Sequence, residues 1–141
     1  GYPGQILRPF AIGMPPTPQY QHMYDIAVET FHRIASVIRP GATVDDVLDA
    51  GEYIHSAGFS IYDDLLHGFG GGYLPPVLRT RRTSPRPPAP LTFKENMTVV
   101  IQPNVITEDE RMGVQVGELV RVTHTGVESL HRYPLRFVRC H

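Results

Sequence analysis

Between Thr17 and Pro40 the apolar residues Tyr20, Met23, Tyr24, Ala27, Phe31, Ile34, Ala35 and Ile38 recur at intervals of three and four, a spacing no strand can present on one face. Thr17 offers a capping hydroxyl and Pro18 suits the first helical position, where its missing N–H costs nothing. Pro40-Gly41 ends the segment. A second helix opens at Thr43, with Asp46 three residues on as an acidic variant of the capping box. Its Val44, Val47, Leu48 and Ile54 share one side, and Gly58 is placed to close it. Two helices with apolar stripes this wide need a surface to cover, so the rest of the chain must supply a sheet.

The remaining segments carry strand signals. Residues 5–12 are rich in strand formers but hold Pro9, which cannot donate to a ladder, so they read as a strand near an edge or its end. Residues 59–62 form a short strand candidate leading into Asp63, Asp64 and the stretch His67-Gly68-Phe69-Gly70-Gly71-Gly72-Tyr73. The β-branched runs at 97–105 and 114–123 fit two neighbouring strands joined by a polar turn at 107–111. Residues 126–141 alternate weakly and read as closing loop and strand. Four arginines and four prolines between 79 and 90 cannot make a core element and predict an exposed, partly polyproline loop. That loop reads either as a solvated insertion or as an anion-binding lid, since arginine forks match carboxylate or phosphate. Helices followed by paired strands, with few strand–helix–strand alternations, give an α+β class, and 141 residues suffice for one domain over 1–141.

The charge balance of 13 basic and 14 acidic side chains gives no field that draws in nucleic acid or an anionic membrane. No run approaches the ~20 apolar residues needed to span a bilayer. The lone Cys140 excludes an intrachain disulfide and a cysteine zinc cluster, and fits a reducing, cytoplasmic setting. A start without Met, at Gly1-Tyr2-Pro3-Gly4, reads as that of a fragment.

Four segments, GYPGQILRPFAIG, RPGATVDDV, HGFGGGYLPPV and ENMTVVIQPNV followed by GVQVGELVRVTHTG, resemble in order those of the pita-bread family that includes methionine aminopeptidase, Xaa-Pro aminopeptidase, prolidase and creatinase. The likeness runs over nearly the whole chain. It implies a pita-bread fold, incomplete here, with two helices on a curved, mainly antiparallel sheet corresponding to the C-terminal half of the catalytic domain. An uncovered strand edge then calls for a partner, either a homodimer mate or a missing N-terminal part of the same protein.

The resemblance also assigns positions. Family members hold two divalent cations with two Asp, one His and two Glu, because such cations need several anionic oxygens to replace water. The second Asp falls on Gln5, the His on His67, the first Glu on Gln102 before Pro103, and the second Glu on Gly117. Two further family histidines fall on Leu74 and Asp63. One ligand in four survives, so no metal is expected. Glu118 stands beside the vacated position 117 but needs a bulge to reach the site, because neighbouring strand residues point to opposite faces.

Three readings follow from the resemblance. The first is a metal-independent, creatinase-like hydrolase acting on a C–N bond of a small molecule or peptide. In it His67 is general acid or base, polarised by Asp63 or Asp64, with Glu118 as a further catalytic candidate. Gln5, Gln102, Arg8 and Tyr73 are the expected substrate-binding residues. The second is an Xaa-Pro aminopeptidase-type metallopeptidase using Mn, Co or Zn. The third is a non-catalytic peptidase-like binding module.

Overall fold

The computed structural model describes residues 1–141. Helix α1 (Pro18–Val37) starts as expected: the Thr17 hydroxyl accepts the Tyr20 N–H at 3.3 Å. It buries Met23, Tyr24, Ile26, Ala27, Thr30, Phe31 and Ile34. The second helix breaks in two, α2 (Val44–Gly51) and the single turn α3 (Tyr53–Ser56). At its start the Asp46 carboxylate accepts the Thr43 backbone N–H at 2.7 Å, which holds that carboxyl below the usual carboxylate range.

The strands are shorter and more numerous than the residue runs predict, because proline and glycine interrupt them. Residues 5–12 split around Arg8-Pro9 into β1 (Ile6–Leu7) and β2 (Phe10–Ile12). The glycine stretch sits between β3 (Leu66–Phe69) and β4 (Tyr73–Leu78). Pro103 divides one run into β5 (Thr98–Ile101) and β6 (Asn104–Ile106), while β7 (Gly113–Gln115) and β8 (Gly117–Val122) divide the next. The expected pair is therefore two pairs, the hairpin β6–β7 over the predicted turn and the longer-range ladder β5–β8. Residues 59–62 contribute only an isolated bridge, Ser60 to Ile106. The tail gives β9 (Val127–Ser129) and β10 (Val138–Cys140).

The main sheet runs β1-β8-β5-β3-β4, with β9 also on β8, and every pairing in it is antiparallel. Its register separates two faces. Leu66, Ile101, Glu118 and Ile6 lie on one rung, and His67, Val100 and Leu119 on the next. Since side chains alternate along strands, these rungs point to opposite sides. Leu66, Val99, Ile101, Val120 and Val122 join the core beneath α1 and α2. His67 belongs to the other face. The resulting class, helices packed on one side of a mainly antiparallel sheet, is α+β, in the arrangement that the resemblance implies. The Pro/Arg segment at 79–90 is docked rather than free: Arg81 pairs with Asp45 and Asp49 of α2 at 3.0 Å each, and Arg82 lies 3.9 Å from Glu52. Its lid reading loses two of the four arginines to those contacts.

Candidate functional site

His67 lies at the bulge where β3 changes register against β4. Its side chain is fully enclosed. Nδ1 is 2.9 Å from the Gly68 carbonyl, which can only accept, so Nδ1 carries the proton and Nε2 keeps a lone pair in the neutral ring. That Nε2 is buried and has no hydrogen-bond partner. The Tyr73 ring stacks on the imidazole with centroids 4.0 Å apart and planes inclined by 23°.

A chain of polar side chains runs beside the imidazole. Gln5 Nε2 donates to Gln102 Oε1 at 2.6 Å, Gln102 Nε2 donates to Asp64 Oδ2 at 3.1 Å, and Tyr73 Oη donates to Asp64 Oδ1. Asp64 is 2% exposed, and this burial pushes its carboxyl above the usual range despite the Tyr73 bond. The same burial and the facing carboxylate push the Tyr73 phenol well up. Asn104 fixes the loop from below: its Oδ1 accepts the N–H groups of Tyr62 and Asp63 at 2.7 and 3.0 Å, and its Nδ2 donates to the Asp64 carbonyl at 3.1 Å. A cleft of about 420 Å³, lined among others by Tyr62, Asp63, Asn104, Arg111 and Gln115, adjoins this loop.

The family model that matches residues 1–124 is that of metallopeptidase family M24. The chain belongs to this family. No curated protein sequence matches it. Solved structures with the same fold include an Xaa-Pro dipeptidase from Bacillus anthracis (22% identity, TM-score 0.78, covering 95% of this chain and 36% of that one). Another is the prolidase from Pyrococcus horikoshii OT3 (19%, 0.79, 96% and 38%). A third is the methionine aminopeptidase from Rickettsia prowazekii (20%, 0.66, 82% and 53%). The chain thus spans little more than a third of the length of the first two.

Three of the expected site residues take other places in this M24 chain. Arg8 is engaged by the protein itself. Its guanidinium donates to Glu118, to the Gly117 and Leu7 carbonyls at 2.8 and 3.0 Å, and to the Tyr133 and Pro134 carbonyls at 2.9 Å each. A guanidinium has five N–H groups, and all five are used. Glu118 answers it from the rung opposite to His67, because β8 runs through this point without a bulge. Asp63 is exposed, and its carboxylate accepts the Asp64 N–H at 2.9 Å, so the buried acid beside His67 is Asp64. His67, Gln5, Gln102 and Tyr73 do come together.

The residues of this chain supply few of the carboxylates that the resemblance assigns to the family's pair of divalent cations. Around His67 stand one carboxylate and two amides, and nowhere do three His, Cys, Asp or Glu side chains converge. Position 117, which the resemblance assigns to the second glutamate, is closed by backbone. A Cβ there would lie 2.6 Å from the Ile101 carbonyl oxygen and 2.8 Å from Gln102 Cα, so the backbone occupies the root of the side chain that a second glutamate requires. Asn104 was missed in the sequence, and the choice between Asp63 and Asp64 was left open there. An asparagine inside a β-branched run, one residue after Pro103, is the signal that points to the former.

Proposed function

We propose that this M24 chain is a hydrolase domain acting on a C–N bond through proton transfer at His67, without a dinuclear metal centre. The observation that carries the reading is the bare, unpartnered Nε2 of a fully enclosed imidazole set beside a buried carboxylate. In hydrolysis one water adds across the C–N bond. Nε2 takes a proton from that water and returns it to the leaving nitrogen, while Asp64 favours the transient imidazolium through its negative charge. Gln5 retains a free amide oxygen and N–H for orienting a small-molecule or peptide substrate, and Tyr73 supplies an aromatic wall. Support also comes from the closed position 117 and from a donor set poor in carboxylates.

The test is hydrolysis of a panel of dipeptides and N-substituted amides, including Xaa-Pro dipeptides, before and after chelation. Activity that survives chelation and is lost in His67→Ala is the expected result. The Xaa-Pro metallopeptidase reading is favoured by family membership, and activity appearing only with stoichiometric Mn, Co or Zn replaces the present proposal with it. The complete enclosure of His67 favours a binding module instead, and a panel without any turnover selects that reading.

A further inference from the structure

The proposed chemistry needs Nε2 of His67 to meet a substrate, yet the ring is sealed. Tyr73 closes one face of it, and the way Tyr73 is held differs from the way the rest of the site is held. Although its ring covers a fully enclosed imidazole, Tyr73 is itself 55% exposed. Its one side-chain hydrogen bond goes to Asp64 Oδ1. On its amino side stand Gly70, Gly71 and Gly72, all exposed, with Gly71 in the left-handed region at φ +97°. On its carboxyl side β4 is an edge strand paired to β3 alone, and its Pro75 and Pro76 have no N–H to donate. A short glycine turn and a ladder short of donors leave this corner with few bonds to break on opening.

We infer that Tyr73 is a hinged cover over His67, swung aside on the glycine turn when a ligand takes its place on Asp64. This rests on the hydrolase reading for its purpose, but the motion is independent of catalysis. Opening strips Asp64 Oδ1 of its donor. A buried acceptor left without a partner costs roughly 1–3 kcal/mol, so the cover stays shut in the absence of ligand. The ligand that opens it must bring an N–H or O–H donor for Asp64, which points to an amine or amide head and away from a carboxylate one. Arg8 is saturated on the other face and takes no part in that role.

Site-resolved carbethoxylation of histidines by diethyl pyrocarbonate, read by peptide mass mapping, tests the cover without any substrate. The wild-type protein should modify His67 at least tenfold more slowly than the exposed His32 and His124. Tyr73→Ala should raise the His67 rate at least tenfold while His55, held by Phe59 and Thr80, keeps its own rate. If His55 also accelerates, the alanine variant has loosened the fold and Tyr73→Phe decides. It keeps the stack but cuts the tether, so a faster His67 with unchanged His55 supports the cover and an unchanged His67 overturns it. Wild-type His67 reacting as fast as His32 also overturns it. In protein with labelled tyrosines, glycinamide should move the Tyr73 ring signal and acetate should not; any other pattern overturns the donor requirement. A wild-type panel without turnover, or turnover kept in His67→Ala, with a functioning cover sinks only the hydrolase reading, and an active enzyme with unmoved His67 rates sinks only the cover.

Discussion

Two polar clusters occupy adjacent rungs of the same sheet and are built on opposite plans. On the Glu118 rung every donor of Arg8 has an acceptor, and the carboxylate it meets is nearly enclosed. On the His67 rung an imidazole nitrogen is left bare, a carboxyl is held above its usual range, and the covering ring half faces solvent. A saturated cluster gives rigidity and nothing to react with. An unsaturated one stores an unmet hydrogen bond that a ligand can complete.

The contrast can be broken most forcefully at Glu118. Glu118→Ala leaves a buried guanidinium without its counter-charge and should cost about 3–5 kcal/mol in urea denaturation. A loss under about 1 kcal/mol would show that the anchor is no anchor. Next comes Gly117→Ala, whose new methyl meets the Ile101 carbonyl and Gln102 backbone, with an expected loss of about 1–3 kcal/mol. Gly117→Glu paired with Gln102→Glu should gain no thermal stabilisation from added Mn, whereas a clear rise would mean that the backbone yields and the metal site can be rebuilt.

Asp64 sharpens the comparison through pH. Its folded-state pKa is raised by burial, so the folded protein binds this proton more readily than the unfolded chain does. The associated stability is present below the ordinary carboxylate pKa and is lost as pH rises through the raised folded value. Asp64→Asn should remove that slope from a pH series of denaturation midpoints while keeping a side-chain acceptor for Tyr73; an unchanged slope would refute the assignment. The smallest effect is expected at Arg81→Ala, where the exposed pairs with Asp45 and Asp49 are worth about 0.2–1 kcal/mol and fade with added salt.

The helices, the class and the family resemblance were legible because they rest on periodicity and local capping, which residues such as Thr17 and Asp46 carry by themselves. The convergence of His67, Gln5, Gln102 and Tyr73 was legible only through the family's order of segments. Side-chain direction was not. Whether Asp63 or Asp64 turns inward depends on Asn104, some forty residues away, which grips the loop from a different strand. As isolated charges Arg8 reads as substrate-binding and Glu118 as catalytic, and only the antiparallel register at Gly117 and Leu7 puts them on the far face. The closure of position 117 depends on how the chain bends at Gln102-Pro103, which no local propensity reports.

The Arg8 fork reaches carbonyls 125 and 126 residues away, at Tyr133 and Pro134, and β10 lies parallel to β2 just beyond. Parallel strands require a crossover, and in this molecule nearly the whole domain serves as that connection. Such a contact closes a very long loop, whose entropy is recovered only after the intervening sheet exists. Docking of residues 133–140 is therefore a late event in folding, and losing it should chiefly speed unfolding while leaving the folding rate unchanged.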